Sequence, residues 1–327
     1  MLGAAQEGNM KRVISVLDYI RNINFEDDRK ETALHKAAKN GHTGIIELFL
    51  SKGASIEAVN EDKNTPLHLA AQSGHTGTTE LLLSKDAATE ATNYYENTPL
   101  HLAAQNGHTG MVELLLSKGA AIEAMNGSKN TPLHLAAQSG DTGIVELLLS
   151  KGVAIEAMNR GTYTPLHLAA QSGRIGTMEL LLSAGAAIEA MDEGKNTAMH
   201  HAARSGHTSA LELLLERGAL IEAMTEGHFT PLNLAAWHDR TSAVELLLAK
   251  GASVQTMDLD KDTPLHNAIW NNNTSLVNLL LENGAPIEAR THNNETPLDL
   301  ATRRGLTGIV RLLENKAAEL AAHGDRA

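Results

Sequence analysis

The chain has 327 residues, of which 42% are hydrophobic and 20% are charged, values typical of a soluble folded protein. Its formal net charge of -12 argues against the basic surface that a nucleic-acid backbone requires, so no nucleic acid is expected as a partner. The sequence has no cysteine, which excludes disulfides and thiolate metal sites. It also has no signal-peptide pattern or long apolar run, so no membrane insertion and a cytoplasmic location are expected.

A four-residue motif that opens with threonine recurs at a constant spacing of 33 residues. Five copies read Thr-Pro-Leu-His, and the other four differ from it at one or two positions. The opening residues are Thr32, Thr65, Thr98, Thr131, Thr164, Thr197, Thr230, Thr263 and Thr296. A fixed period of this length indicates a repeat protein in which each unit is one supersecondary element.

The first unit is predicted to be truncated, because the Ala4-Ala5 pair and Gly8 align with the next unit but no threonine motif precedes them. Each complete unit shows signals for two short helices. Thr65 can cap a first helix that starts at Pro66 and ends at Gly74, and a leucine-rich second helix follows it. Two helices this short cannot bury their own apolar faces, so neighbouring units must stack.

The segment after each second helix carries extended and then turn-prone residues, as in Ile122 to Asn130, which predicts a projecting finger. Near the end of the chain, Leu312-Leu313-Glu314 runs into a polar, alanine-rich segment without a glycine. This pattern predicts a longer capping helix.

The motifs resemble those of the ankyrin-repeat family, through Thr-Pro-Leu-His-Leu-Ala-Ala-Gln-Ser-Gly-His at residues 65–75 and Leu-Leu-Leu-Ser-Lys-Gly-Ala at residues 114–120. The resemblance covers nearly the whole chain. It implies an all-α ankyrin-repeat solenoid of helix-turn-helix units with short β-hairpin fingers, in a single domain over 1–327. Residues 1–29 would be the truncated repeat, 30–294 the central repeats and 295–327 the capping repeat.

Two rows of residues depart from the family pattern. The family usually has glycine two positions before the threonine, where this chain has residues such as Lys63 and Thr162, and a different finger turn is therefore expected. A second row holds glutamate where the family usually has asparagine, and only Asn24 keeps the asparagine. The glutamates of this row are Glu57, Glu90, Glu123, Glu156, Glu189, Glu222 and Glu288. This row is interpreted as a solvated edge, with an acidic track for a basic partner as the alternative.

Candidate chemistry is sparse. The chain has sixteen histidines, but most of them follow the repeat, and the family resemblance implies structural hydrogen bonds for the motif histidines, so no metal is expected. In the adjacent pair, His200 is interpreted as structural and His201 as a surface residue. Asp258 to Asp262 imitates the start of a calcium loop but lacks its glycine and its final glutamate. With no phosphate-binding loop and no nucleophile elbow, neither a cofactor nor an enzymatic activity is expected.

The uncommon residues fall at positions that the resemblance places on a concave surface made of fingers and first helices. Aromatic side chains there are good interface anchors, and a row of methionines at 33-residue spacing suits irregular partners. The predicted partner-binding residues are Tyr94, Tyr95, Met125, Met158, Tyr163, Met191, Met224, Phe229, Trp237, His238, Met257, Trp270 and Asn271. The alternatives are that the tryptophans fill gaps in irregular late repeats and that the methionines pack on one another.

The resulting hypothesis is a monomeric protein-interaction module, acting as a scaffold, adaptor or inhibitor, that binds a partner protein or peptide on the concave surface. One alternative is a bacterial effector that acts on host proteins in the host cytosol. A second is an interaction fragment of a larger multidomain protein. An enzyme would need a deep pocket with convergent polar groups, which a repeat array without insertions does not predict.

Overall fold

The computed structural model describes residues 1–324, and within that range the chain forms twenty α-helices and no strand. The helices are α1 (Leu2–Gln6), α2 (Met10–Leu17), α3 (Ala33–Lys39), α4 (Thr43–Ser51), α5 (Pro66–Ser73), α6 (Thr76–Ser84), α7 (Pro99–Gln105), α8 (Thr109–Ser117), α9 (Pro132–Ser139), α10 (Thr142–Ser150), α11 (Pro165–Gln171), α12 (Ile175–Ser183), α13 (Ala198–Ser205), α14 (Thr208–Glu216), α15 (Pro231–Trp237), α16 (Thr241–Ala249), α17 (Pro264–Trp270), α18 (Thr274–Glu282), α19 (Pro297–Arg303) and α20 (Thr307–Gly324). They alternate as first and second helices of successive repeats. The predicted all-α repeat class is therefore confirmed.

The threonine motif starts each first helix by a capping box. In α5 the His68 backbone N–H donates to Thr65 Oγ1, while His68 Nδ1 accepts the Thr65 backbone N–H at 3.2 Å. Pro66 occupies the first turn, where its missing N–H has no helical partner to lose. The motif thus satisfies two of the free N–H groups at the helix start, one with the threonine hydroxyl and one with the histidine ring.

In five of the described repeats the same histidine also bonds to the following repeat. Because Nδ1 of His68 accepts a hydrogen bond, Nε2 carries the ring proton and donates it to Asn97 O at 3.0 Å. His35 and His101 make the equivalent bonds to Asn64 O and Asn130 O, each at 3.0 Å. A motif that begins a helix therefore also fastens the finger of the following repeat.

The chain divides into two compact units, the first Met1–Gly161 and the second beginning at Thr162. In the first unit, α1, α3, α5, α7 and α9 stack in that order, and α2, α4, α6, α8 and α10 form the layer behind them. In the second unit, α11, α13, α15, α17 and α19 stack in the same way. The alanine pairs, such as Ala70-Ala71 with no exposed surface, let these helices approach closely. A single domain over 1–327 stays a prediction.

The fingers are short hydrogen-bonded turns rather than the expected β-hairpins. The Asn60 N–H donates to Asn64 O at 3.1 Å, and the Lys63 N–H donates to Asn60 O at 2.9 Å. One further backbone bond links this finger to the preceding one, from Glu61 N–H to Arg29 O at 2.9 Å. Because each finger shares so few backbone bonds with its neighbour, the tips do not extend into a ladder.

A different finger turn was expected because the usual glycine is missing, but the position where the family usually has glycine still takes a positive φ. Lys63 itself has a φ of 59°, and Thr162 has the same value, at the position where the family usually has glycine. Gly194 and Gly227, one residue earlier in their fingers, do not have a positive φ. The two backbone bonds within each turn hold a non-glycine residue in the left-handed region, at a cost of about 1 kcal/mol per finger.

The row of glutamates bridges successive repeats, a role that neither interpretation of the sequence included. Glu90 Oε1 accepts the Ala121 N–H at 3.0 Å, and the other described bonds of this kind run from Ala88 to Glu57, Ala154 to Glu123, Leu220 to Glu189 and Ser253 to Glu222, at 2.7 to 2.8 Å. Asn24 makes the same bond to the Ser55 N–H at 2.8 Å. Glutamate therefore makes the same inter-repeat hydrogen bond that asparagine makes at this position.

The two ends of the array agree with the sequence pattern. The truncated first unit still forms a helix pair, in which Ala4 and Ala5 are buried. The last helix, α20, has 18 residues where the preceding second helices have eight or nine, so the predicted longer capping helix is confirmed. Ile309 and Leu313 on its inner face are buried.

Loss of one glutamate bridge should weaken the repeat array locally. We expect Glu90→Ala to lower the free energy of unfolding by about 1 kcal/mol, because the Ala121 N–H then loses a charge-assisted hydrogen bond. Urea unfolding followed by circular dichroism measures the change. Glu113→Ala, at an exposed carboxylate on α8 of the same region, is the matched control, and equal losses in the two variants would contradict the bridge.

The buried motif histidines should make the fold sensitive to acid. Burial lowers the pKa of His68, His167, His200 and His266 to about 4. Since the unfolded chain binds these protons near pH 6.5, the stabilisation is complete above pH 6.5 and is lost as the pH falls toward 4. The expected loss is up to about 1.4 kcal/mol per pH unit for each histidine, measured by urea unfolding at a series of pH values.

The chain supplies its own control for this titration. Asn233 replaces the motif histidine in α15, and its Oδ1 accepts the Thr230 N–H at 3.1 Å, so asparagine can form the cap without titrating. We expect His68→Asn to fold and to show a shallower fall in stability between pH 6.5 and 4. An unchanged pH dependence would show that His68 does not contribute to the acid sensitivity.

Candidate functional site

A groove of about 750 Å³ runs between the fingers and the first helices of the first unit. Its walls come from successive repeats and include four fingers. The lining residues are Arg29, Glu31, Lys39, Asn60, Asp62, Asn64, Leu69, Gln72, Asn93, Tyr94, Tyr95, Glu96, Asn97, Leu102, Gln105, Asn126, Gly127, Ser128, Asn130, Leu135 and Gln138. The leucine, asparagine and glutamine residues of the lining recur every 33 residues, so each repeat of the first unit adds nearly the same floor and rim to the groove.

The floor of the groove combines buried leucines with a ladder of asparagines. Leu69, Leu102 and Leu135 are nearly buried on the first helices. Asn93 Nδ2 donates to Asn64 Oδ1 at 2.9 Å, and the same bond joins each later pair, from Asn126 to Asn97 at 2.7 Å and from Asn159 to Asn130 at 2.8 Å. The ladder joins fingers of adjacent repeats and holds the groove in one shape.

The two rims of the groove carry exposed side chains. Tyr94 and Tyr95 are 67% and 63% exposed at one finger tip, with their rings edge to face and 5.4 Å apart between centroids. On the opposite side, the glutamines Gln72, Gln105 and Gln138 lie exposed at the ends of the first helices. Aromatic and amide side chains of this kind contact a polypeptide through both apolar and hydrogen-bonding atoms.

The charges along the groove are mixed. Arg29 and Lys39 oppose Asp62 and Glu96, and Glu31 is already paired with Lys36. Lys36 also binds Asp27 at 2.9 Å. The groove therefore favours a partner segment of low net charge, held by apolar contacts and amide hydrogen bonds.

In the second unit, the interpretation of His201 as a surface residue was wrong. His201 is buried, and its Nε2 lies 3.0 Å from Asp192 Oδ2. Tyr163 packs edge to face on the His201 ring with centroids 5.0 Å apart. The position of His201 is held by leucine in most repeats, and the position of Asp192 by asparagine at residues 60, 93, 126 and 159. The pair replaces the leucine and asparagine of those repeats with a bonded histidine and aspartate.

Two pKa values in this cluster depart strongly from their ordinary range. Burial alone would raise the pKa of Asp192, but hydrogen bonds from His201 and Asn196 outweigh it and lower this pKa to about 2. Burial and the neighbouring His201 lower the pKa of His167 to about 4. The Asp192 carboxylate is therefore ionised at neutral pH and needs a donor beside it.

The two tryptophans that the sequence singled out have different surroundings. Trp237 packs edge to face on Phe229, with ring centroids 6.1 Å apart. Trp270 is 42% exposed, and the guanidinium carbons of Arg303 and Arg304 lie 5.5 and 5.1 Å from its ring centroid. A separate groove of about 330 Å³ opens beside Trp270.

The remaining predicted site residues are distributed along the repeats. The methionines of the predicted row are each 40 to 54% exposed, and they are Met125, Met158, Met191, Met224 and Met257. Asn271 Nδ2 donates to Ala236 O and Trp237 O, each at 2.9 Å, so its amide joins two repeats. His238 is half-buried, and burial together with Arg204 and Arg240 lowers its pKa.

The first-unit groove brings together Tyr94 and Tyr95 with residues that the sequence analysis did not select. The asparagine and glutamine rows were visible in the sequence at 33-residue spacing, as Asn64, Asn97 and Asn130 show. Within residues 1–324, no group of three or more potential metal-binding side chains occurs. No helix in the same range is long and apolar enough to cross a membrane.

Comparison with known proteins gives a consistent result. A family model described as ankyrin repeats (3 copies) matches residues 1–93, 52–126, 100–192 and 166–258, and one described as ankyrin repeats (many copies) matches 247–301. The crystal structure of the human ASB11 ankyrin repeat domain is similar, with a TM-score of 0.61 and 29% identity, over 66% of this chain and 98% of that chain.

A curated relative matches a shorter stretch. The integrin-linked protein kinase homolog pat-4 of Caenorhabditis elegans is 38% identical over 61 residues, which is 18% of this chain. The chain spans 13% of the length of that relative. The match therefore concerns a repeat segment and carries no information about catalysis. No enzymatic family is indicated by the family models.

Replacing His201 alone should lower the free energy of unfolding more than replacing both Asp192 and His201. We expect His201→Leu to lower the free energy of unfolding by about 2 to 3 kcal/mol, because it leaves the buried carboxylate without its ring donor. Asp192→Asn with His201→Leu restores the common repeat residues and should lose less than about 1 kcal/mol. A double-mutant cycle by urea unfolding measures this coupling, and additive losses would contradict it.

Proposed function

Because this chain belongs to the ankyrin-repeat family, we propose that it binds a partner protein, and that a segment of the partner lies in the groove of the first unit. Ankyrin repeats are protein–protein interaction modules. The observation that carries the proposal is the groove itself, with exposed tyrosines and glutamines on its rims above a leucine floor. The module would act as a scaffold, adaptor or inhibitor by holding this segment.

The spacing of the repeats suits an extended segment. Packed helices lie about 8 to 10 Å apart, and an extended chain rises about 3.3 Å per residue, so roughly three partner residues match one repeat. Each third residue would then meet the same surroundings, namely a leucine on the floor and a glutamine at the rim. Such a groove favours an extended polypeptide over a compact small molecule.

The preformed shape of the groove supports affinity. The asparagine ladder and the histidine bonds hold the fingers before a partner arrives, so less conformational entropy is lost on binding. Tyr94 and Tyr95 add large contact areas with few rotatable bonds. The asparagine ladder, the histidine bonds and the two tyrosines therefore all support a binding function. Monomeric state and cytoplasmic residence stay predictions.

Site-specific photo-cross-linking tests the proposed surface. A photoreactive phenylalanine analogue at Gln105, on the groove rim, should capture the partner from a lysate of the source cells. The same analogue at the exposed Glu113, on the second helix of the same repeat, is the control and should capture it much less. We expect the Tyr94→Ala, Tyr95→Ala double variant to weaken capture about tenfold or more, as loss of interface aromatic anchors does.

Two results would contradict the proposal. Equal capture from both positions would show that the groove is not the contact surface. Full capture by the double tyrosine variant would show that the aromatic finger does not contribute. Circular dichroism and urea unfolding of each variant show that the fold is retained.

A further inference from the structure

We propose that the groove beside Trp270 binds an arginine side chain of a partner protein. This groove has a volume of about 330 Å³ and lies wholly in the second unit, between the fingers and first helices of the last two repeats. Its walls include Asp260, Asp262, Trp270, Glu295 and Leu300. This proposal rests on the proposed function in one respect only, namely that the arginine belongs to a partner protein.

Trp270 offers a surface that attracts cations. The indole is 42% exposed, and the π-face of an indole binds guanidinium groups more strongly than other aromatic rings do. Two guanidinium groups of the chain itself, those of Arg303 and Arg304, already lie within 5.5 Å of the ring centroid. The ring therefore has the orientation that arginine stacking requires, and a partner arginine would replace Arg303 beside it.

Asp260, Asp262 and Glu295 line the groove, and of these only Glu295 is in a described ion pair. Asp262 Oδ1 is buried and has no hydrogen-bond partner. Burial, followed by the charges of Asp258, Asp260 and Glu295, raises the pKa of Asp262 to about 6. Of the groove carboxylates, Glu295 is paired with Arg303, through bonds of 2.6 and 3.0 Å. A guanidinium in the groove would give Asp262 the donor that it lacks.

A fully buried amide lies on the same helix as Trp270 but is not part of the groove wall. Asn267 has no exposed surface, and neither its Nδ2 nor its Oδ1 has a hydrogen-bond partner. It occupies the repeat position held by Leu69 and Leu102 on the floor of the first-unit groove, and by Leu300 beside Trp270. It also lies three residues before Trp270, on the same face of α17. The orphaned amide therefore makes this part of α17 less well satisfied than the equivalent leucine positions, and it takes no part in the proposed contact.

The chemistry favours arginine over lysine. A guanidinium presents five donors in a planar fork and can stack on the indole while it bonds to a carboxylate beside the ring. An ammonium group presents a compact charge and cannot use both contacts in the same plane. Arg303 is half-exposed and held by Glu295 and the indole, so it competes with the incoming side chain for both.

The chain contains two tryptophans, so a Trp237→Phe background leaves Trp270 as the single indole reporter. In this background we would titrate the peptide acetyl-Gly-Ser-Arg-Ser-Gly-amide and follow the indole N–H signal by NMR. We expect a saturable shift with a Kd on the order of 1 mM, a reasonable value for one anchoring side chain. The same peptide with neutral citrulline should bind at least tenfold more weakly, and with lysine severalfold more weakly.

Variants assign the contact to named residues. Asp262→Asn and, as a second variant at an exposed position, Asp260→Asn should each weaken arginine-peptide binding about fivefold or more. Glu226→Gln, at an exposed carboxylate on the preceding finger, is the matched control and should leave the Kd unchanged. Arg303→Ala should strengthen binding severalfold, because it frees the indole face and Glu295.

The proposal is overturned if the indole signal does not shift, if citrulline binds as well as arginine, or if Arg303→Ala weakens binding. Thermal unfolding of every variant separates loss of binding from loss of fold. The outcome of this titration can also be distinguished from the outcome of the cross-linking test of the first-unit groove. Failure of photo-cross-linking at Gln105 with a normal Trp270 titration would contradict the proposed function alone.

Discussion

The architecture depends on one repeated interaction, the bond from a buried motif histidine to a carbonyl 29 residues further along the chain. His68 caps its own helix through Nδ1 and binds the next finger through Nε2. One neutral ring therefore forms both a helix cap and a hydrogen bond between two repeats. The protonated ring could not accept the Thr65 N–H, which is why burial in the neutral form matters. The glutamate bridges and the asparagine ladder add further bonds between the same neighbours.

Because most of the described junctions use the same histidine bond, many of the differences between repeats fall on the surfaces that the junctions leave free. The first unit keeps the asparagine and glutamine rows and presents a groove of nearly uniform chemistry. In the second unit several of these positions change, with Asp192 and His201 forming a buried pair and Asn267 replacing a floor leucine. The two units therefore support different contacts on the same type of scaffold.

Much of this structure follows from the sequence, because the determining contacts are local or periodic. The threonine cap, the proline at the helix start and the long final helix are all contained in short windows. The exposure of Tyr94, Tyr95 and Trp270 also follows, since they lie at finger and helix-end positions.

The errors concern contacts between residues that only the folded chain brings together. His201 is buried because Asp192, on the finger of the same repeat, meets its ring, and helix geometry alone does not show this contact. The role of Glu90 requires a backbone N–H 31 residues away. The finger turn was misjudged because backbone hydrogen bonds hold lysine where glycine was expected. Most residues that line the groove were not predicted, because they are common residues of the repeat rather than rare ones.

Amide hydrogen exchange on the intact chain, alone and with its captured partner, tests the central claim that the fingers and first helices form the binding surface. The account predicts slower exchange in the fingers at residues 93–97 and 126–130 when the partner is bound, with unchanged exchange in the second helices α6 and α8. Slower exchange confined to α6 and α8, with no change in those fingers, would contradict it.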